Sequence, residues 1–367
     1  NALDAKIIIG DFDLSILKNY QNFPNITLSL EDLKVIGKGE FSKDTLADIG
    51  KLNLALDLMS VIKSEKPMKI HSVEIYKPKI RAIVSRSGKA NWDITKPSKE
   101  ASKEEPFALS LKKLLIEGGD IEYSDFKGGQ FAIIRGLEHK GNGDFTQDVF
   151  DYETVTNIEQ LSFTQNKLTY LSKAKILFEG AISIMQKESK YTFKENNFKI
   201  NDLGIKFDGW LMNKANNPMS MDIKFKADKT EFKSVLSLVP AIFAKDFDQI
   251  KTSGSFNLAG NVKGIYKENW YPAFNLDLMV NNGKFQYPSL PTAISNIEIE
   301  SHINNPGGSL DKLVVKIPKW NMLVGTEPIA MKLGVTTPIS DPNIDLVAKG
   351  KMDLSKVKNF YPMDNVK

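Results

Sequence analysis

The feature that most constrains this chain is a strict alternation of apolar and polar residues. Met221, Ile223, Phe225 and Ala227 alternate with charged residues without an error. A period of two is typical of a β-strand with one buried and one solvated face. Parallel strands covered on both faces would instead read as unbroken apolar runs. The pattern therefore predicts half-exposed, antiparallel strands.

Turn-forming residues separate these alternating stretches along the chain. Gly and Asn tolerate the positive φ that tight turns demand. They cluster at residues 118–119, 128–129, 141–143, 281–283 and 305–308. We interpret each cluster as a turn, which predicts a long meander of consecutive strands.

Helical patterns are few and short. Residues 230–250 carry apolar positions spaced for one helical face, with Thr230 as an N-cap and Pro240 as the end. Residues 45–62 contain a second candidate, but Leu52 to Leu58 also alternate as a strand. We predict a short helix near Thr45 followed by that strand.

The length of 367 residues exceeds one ordinary domain of about 100 to 200 residues. Residues 96–106 are framed by Pro and contain a single apolar residue. This composition predicts a linker or disordered loop. It would divide the chain into an N-terminal β/α segment, 1–95, and a longer β segment, 107–367.

The charge distribution argues against nucleic-acid binding. Lys and Arg total 49 against 45 Asp and Glu, for a net charge of +4. Only Arg81, Arg86 and Arg135 offer the planar guanidinium that base and phosphate recognition favours. The Lys residues are spread along the chain rather than concentrated in one basic segment.

The usual signatures of catalysis are missing from the sequence. It has no Cys, and His71, His139 and His302 lie far apart. A metal site would need scattered carboxylates, and no phosphate loop, dinucleotide fingerprint or nucleophile elbow occurs. We therefore predict no enzymatic activity, no catalytic residues, no metal and no cofactor. An enzyme with an unrecognised site stays as the weakest alternative.

The chain also lacks a membrane-spanning pattern. Its longest uncharged apolar stretch, residues 234–244, is far shorter than the roughly 20 residues that a span requires. The sequence begins at Asn1 without a leader pattern. We expect it to be a piece of a longer protein whose anchor lies elsewhere.

The apolar faces of the strands admit two interpretations. They can pack against a second layer, as most half-apolar strands do. Alternatively, a long meander with few helices leaves part of them as an open apolar trough, which usually binds a ligand, a membrane or a partner. The pattern alone leaves both open.

Several motifs together resemble the AsmA family of bacterial envelope proteins. In the N-terminal part, residues 23–33 read FPNITLSLEDL and residues 58–62 read LMSVI. Residues 88–94 read GKANWDI, similar to a G-x-x-N-W-D signature, and residues 121–125 read IEYSD, similar to I-x-Y-x-D. Residues 254–264 and 282–291 continue the resemblance. Each motif is short, and their order over most of the chain carries the match.

This resemblance implies a periplasmic protein tethered to the inner membrane by a transmembrane helix not present in this chain. It implies a role in outer-membrane biogenesis, with a repeating β-groove that carries lipids between membranes. Phospholipid or another envelope lipid would be the ligand, and inner- and outer-membrane proteins would be possible partners. The family offers no catalytic residues to transfer.

We therefore expect a mainly β fold: an elongated, twisted antiparallel sheet with a few short helices and one apolar groove. One alternating register would line the groove. The candidate lipid-binding residues are Ile205, Phe207, Met221, Ile223, Phe225, Phe274, Leu276 and Leu278. On this interpretation Ile223→Asp and Phe225→Asp reduce bound lipid, whereas Lys224→Asp on the opposite face does not.

The competing interpretation is a structural or assembly factor for outer-membrane proteins. Protein would then cover the same apolar faces, and partners would add a strand at a sheet edge.

Overall fold

The structure, a computed structural model, is built almost entirely from β-strands. It describes residues 4–16, 25–63, 69–94, 111–214, 217–236, 250–286 and 291–351, together with Asp353, Ser355 and Asn359. The expected mainly β fold with few short helices is confirmed. The predicted linker at 96–106 lies outside the described residues.

The chain divides into two compact units, the first through Ile184 and the second from Met185 onward. Most strands neighbour the next strand of the chain within each unit, but the first strand pairs with the third. The strands of the first unit are β1 (Lys6–Ile8), β2 (Asp11–Ile16), β3 (Asn25–Ile36), β4 (Thr45–Asp57), β5 (Ile70–Val84), β6 (Lys113–Asp125), β7 (Gln130–Asn142), β8 (Val149–Gln165) and β9 (Leu168–Met185).

The second unit continues the same arrangement. Its strands are β10 (Lys190–Ile200), β11 (Leu203–Met212), β12 (Met219–Glu231), β13 (Lys251–Tyr266), β14 (Ala273–Gln286), β15 (Ile294–Asn305), β16 (Val314–Val324), β17 (Glu327–Thr336) and β18 (Asn343–Gly350). Every registered pair in this unit is antiparallel, because each strand returns directly along its predecessor.

The first unit departs once from the antiparallel prediction, since β5 and β6 run parallel. After β5 ends at Val84, the segment around Asn91 folds back on the end of the strand. The buried Asn91 side chain accepts a hydrogen bond from the Ile83 N–H (2.9 Å) and donates one to the Arg81 carbonyl (2.7 Å). The side-chain amide thus takes the place of a ladder residue at the end of β5.

The described residues contain two α-helices, α1 (Leu58–Ile62) and α2 (Phe232–Leu236). The predicted helix near Thr45 is wrong, because β4 starts there and the helix follows the strand instead. The Asp57 side chain accepts a hydrogen bond from the Ser60 N–H at 2.7 Å and thereby caps α1. The predicted helix at 230–250 begins later, at Phe232, and Thr230 belongs to β12. Its predicted end at Pro240 lies outside the described residues.

Two of the predicted turns are wrong, because their residues lie inside strands. Gly118 and Gly119 sit within β6, and Asn282 and Gly283 within β14, where the pairing registers shift. These are β-bulges, which use the same positive-φ residues that turns use. Residues 128–129 and 305–308, in contrast, connect strands as predicted.

Four laterally neighbouring positions form a crease across the first unit: Asp32, Gly50, Lys77 and Gly118. All except Gly50 have a φ between 49° and 65°, and the register pairs on either side bring them next to one another across β3 to β6. A bulge re-aims the side chains that follow it. The apolar alternation accordingly shifts by one residue here, from Leu30 to Leu33 in β3.

Candidate functional site: an apolar sheet face

The eight predicted lipid-binding residues all lie on one face of the second unit. Ile205 and Phe207 belong to β11, residues 221, 223 and 225 to β12, and residues 274, 276 and 278 to β14. Phe207 pairs directly with Phe225, which pairs with Gly260 of β13, which in turn pairs with Leu276. Directly paired residues share a face of the sheet. We call this side the apolar face.

Alternating exposure confirms that the two faces of this sheet differ. All eight residues of the predicted set are half-buried, whereas Lys206, Asp208, Lys224, Asn275 and Asp277 on the other side are exposed. We call that other side the charged face. Its composition follows from the period of two, which places every second residue of a strand in water.

The sequence-based list omitted the strand in the middle of the apolar face. β13 lies between β12 and β14 and contributes Leu258 and Val262, which pair with Leu278 and Phe274. The alternation of Phe256, Leu258 and Val262 in the sequence was the signal that could have found them. Pairing extends the same row outward through Ile303, Val315, Val335 and Ile344.

Glycines on the apolar face stand beside its large side chains. Gly260 lies under the Phe225 ring: a Cβ there would come within 2.6 Å of Phe225 Cζ. Gly209 pairs with Ile223, and Gly264 with Met221. A side chain that leans over a neighbouring glycine covers an otherwise bare backbone. These cross-strand contacts explain why side chains on this face are half-buried even where no second layer packs on the sheet.

One end of the apolar face is covered, and there the sheet has a packed core. Phe256, Val280 and Ile297 are buried, and Leu278 packs against them together with Phe232 of α2. The helix lies against β12 and β13. Leu278 of the predicted set therefore contributes to this core. Elsewhere in the described sheet, the main contacts of each strand are with its neighbouring strands.

The charged face has both opposite-charge and like-charge positions across neighbouring strands. Asp208 faces Lys224, but Lys206 faces Lys226. The amides of Asn261, Asn275 and Asn304 form a hydrogen-bonded ladder across β13 to β15. A shallow pocket of about 760 Å³ lies along these residues between β10 and β14. Its lining is mixed: charged and amide side chains of these strands stand beside Phe207 and Phe225 of the predicted set.

Further along the charged face, His302 is hydrogen-bonded to two carboxylates. Its Nδ1 lies 2.6 Å from Asp277 Oδ1, and its Nε2 lies 3.0 Å from Glu300 Oε1. These hydrogen bonds, first that to Asp277, raise the pKa of His302 above its ordinary value. The group is largely exposed, and among the described residues no set of three His, Asp or Glu side chains is arranged to hold a metal ion.

The first unit repeats the two-faced arrangement. Leu14, Leu28, Leu54, Val73 and Leu114 pair in one row across β2 to β6. The row thus provides a second apolar surface of the kind found in β11 to β18. The sequence-based list named none of these residues.

A histidine lies in the neighbouring row of the first unit. His139 pairs with Ile116, and its ring nitrogens lie 2.8 Å from Thr156 Oγ1 and 2.8 Å from Tyr152 Oη. Burial lowers the pKa of His139, because the charged imidazolium is poorly solvated there. The Phe145 ring packs edge-to-face against Tyr152 with 5.5 Å between ring centroids, so the histidine lies in an aromatic setting.

Two of the sequence motifs meet in the structure. Trp92, from the stretch at 88–94, lies with its ring 6.2 Å from that of Tyr123 in β6, from the stretch at 121–125. Asp125 ends that strand and accepts hydrogen bonds from the Lys127 and Gly128 N–H groups at 2.9 and 2.7 Å. In both motifs these residues therefore have structural roles: Trp92 and Tyr123 pack together, and Asp125 stabilises the turn after β6.

Comparisons of the whole chain with protein-family models, curated proteins and solved structures give no match. Within the part of the chain that the structure describes, no helix is long and apolar enough to cross a bilayer.

Proposed function

We propose that this protein binds lipid along its apolar face without catalysing a reaction. The observation that carries the proposal is the placement of the eight residues Ile205, Phe207, Met221, Ile223, Phe225, Phe274, Leu276 and Leu278. They share one half-buried surface across adjacent strands, with Leu278 at its covered end, and charged residues occupy the opposite side. A continuous apolar surface of this kind is unusual unless a ligand, membrane or partner covers it.

Acyl chains suit such a surface for a physical reason. Each buried CH₂ group contributes about 0.8 kcal/mol, so a chain of many such groups gains affinity without any single strong contact. The polar head group remains in water. Because neighbouring positions on the face are chemically alike, an acyl chain can shift along the strands with little change in free energy.

The sequence resemblance to AsmA proteins supports the biological setting of the proposal. It implies the periplasm, a transmembrane tether to the inner membrane and a part in outer-membrane biogenesis. In that setting the ligand is a phospholipid or another envelope lipid, carried between the two membranes. Membrane proteins at either end would be partners.

Native mass spectrometry with lipid extraction tests the proposal. The protein is purified from bacteria without detergent, beside an unrelated β-rich protein. We expect phospholipid or lipid A species that the unrelated protein lacks. Ile223→Asp and Phe225→Asp should each remove most of the bound lipid, because a carboxylate on the apolar face costs free energy next to acyl chains.

The cross-strand pairs identify the best control on the charged face. Lys224 faces Asp208, so Lys224→Asp would place two carboxylates opposite each other. Lys206 faces Lys226, and Lys206→Asp therefore creates an opposite-charge pair without touching the apolar face. We expect Lys206→Asp to retain the wild-type lipid load, with circular dichroism confirming that all variants fold.

Two results would contradict the proposal. One is equal lipid in the wild type, Ile223→Asp and Lys206→Asp. The other is a lipid-free mass that also fails to take up added phospholipid. The second result would favour the alternative function, an assembly factor that acts through protein contacts.

A further inference from the structure

The outermost strand of the second unit, β18, has an unusually exposed edge. It pairs with β17 along one side in an unbroken register from Asn343 to Gly350, and among the described strands its main contacts are with β17 alone. All eight residues are exposed. The exposed apolar residues are Ile344 (62%), Leu346 (57%) and Val347 (45%).

This edge carries two charged residues, Asp345 and Lys349, but among the described residues it lacks the other features that usually prevent strands from associating. Natural edge strands are commonly interrupted by a proline or a bulge, or are covered by another element. β18 contains no proline, its pairing with β17 shows no register shift, and its eight residues are regular. Its outward backbone N–H and C=O groups are therefore a template for another strand.

We propose that β18 pairs antiparallel with β18 of a second copy of this chain, around a two-fold axis at Val347. The axis must be perpendicular to the sheet if the apolar faces of the two copies are to lie on the same side. Such an axis pairs odd-numbered residues only with odd-numbered ones, and even with even, since alternate residues of a strand point to opposite faces of the sheet. This condition restricts the possible registers to those centred on a residue.

Charge complementarity selects the register centred on Val347. It places Asp345 opposite Lys349 of the second copy, and by symmetry Lys349 opposite the second Asp345. Leu346 then faces Ala348 on the other side of the sheet. Centring on Leu346 would place Asp345 opposite Val347, and centring on Ala348 would place Lys349 opposite Val347. Opposite charges directly across an antiparallel pair are stabilising. Of these three registers, only the one centred on Val347 places both Asp345 and Lys349 opposite a residue of opposite charge.

The row of the apolar face that ends at Ile344 would then approach the corresponding row of the second copy. This inference rests on the edge and its charges, and it does not depend on lipid binding.

Sedimentation of the purified chain over a range of concentrations tests the pairing. One strand pair buries less than the roughly 1,200 Å² of a stable interface, so we expect a reversible monomer–dimer equilibrium, measured up to about 0.5 mM. Asp345→Lys and Lys349→Asp should each weaken the dimer by about tenfold or more, because each creates two like-charge pairs. The double variant should restore wild-type association.

Glu327→Lys provides a matched control. It makes the same change in charge at an exposed position of β17, which is not an edge strand, and it should leave the equilibrium unchanged. A chain that stays monomeric throughout, or a double variant that does not recover association, would overturn the proposal.

A cysteine cross-link checks the register separately, because the chain has no native Cys. At the two-fold axis, residue 347 faces its own copy with Cα atoms about 4.5 to 5.5 Å apart, within the range of a disulfide. Val347→Cys should therefore form a covalent dimer under mild oxidation, and Asp345→Cys should not. The reverse pattern, or equal cross-linking of both, would exclude this register.

Discussion

Gly209 occupies a position that only glycine can fill. Its φ is 130°, and a Cβ there would lie 2.0 Å from the Asp222 carbonyl oxygen in the paired strand. The backbone of β11 thus approaches β12 closely beside Ile223. Both the conformation and the contact require the absence of a side chain.

Gly209→Ala should therefore destabilise the fold by about 3 kcal/mol or more, from backbone strain and the clash with Asp222 together. Urea unfolding followed by circular dichroism measures the change in free energy. Gly204→Ala in the same strand is the control, since a Cβ there has no atom within 4 Å. It should change stability by less than about 0.5 kcal/mol. Equal losses in both variants would show that Gly209 is not under this constraint.

His139 and His302 should respond to pH in opposite directions. Burial lowers the pKa of His139, so below about pH 6.5 the unfolded state binds more protons and acid destabilises the fold. Hydrogen bonds to Asp277 and Glu300 raise the pKa of His302. The stability that protonated His302 adds to the fold is fully present below about pH 6.5, and it is lost as the pH rises through the folded-state pKa of His302.

Thermal unfolding between pH 5.5 and 7.5 tests this difference. His139→Gln should reduce the loss of stability on acidification, by at most about 1.4 kcal/mol per pH unit for one proton. His302→Gln should increase that loss, because it removes a group that stabilises the fold at low pH. If both variants followed the wild-type profile, neither histidine would couple folding to protonation in this range.

At the scale of strands, the sequence predicted the apolar alternation well because each strand is half-exposed. Met221, Ile223 and Phe225 are on one face since nothing interrupts the period of two in that stretch. The same rule identified which side of β14 is apolar. The local sequence pattern was sufficient to predict which residues share a face wherever the two faces of a strand have different surroundings.

Bulges and helix positions were harder to predict. Asn282 and Gly283 have the chemistry of a turn, but pairing of β14 with both neighbours holds them inside the strand. The helix near Thr45 was misplaced because the capping Asp57 lies at the other end of the strand. The parallel pairing of β5 with β6 joins residues far apart in sequence, which local periodicity does not encode.

At the scale of the whole molecule, the sequence left open whether protein covers the apolar faces. The composition is that of an ordinary globular protein, with 41% hydrophobic residues. What differs is their distribution, since strands of both units collect them on one side, and α2 covers one end of the described face. A hydrophobic count cannot distinguish this arrangement from a two-layer core, because both satisfy the same alternation.

The proposed lipid binding would make the stability of the fold depend on the ligand. A ligand that binds only the folded state stabilises it by about 2.7 kcal/mol at a concentration 100 times its dissociation constant. We therefore expect the unfolding temperature of lipid-stripped protein to rise with added short-chain phosphatidylcholine, kept below its critical micelle concentration. Ile223→Asp should show a much smaller rise, whereas Lys206→Asp should match the wild type. A rise of equal size in all three proteins would mean that the lipid acts outside the apolar face, since only Ile223→Asp alters that surface.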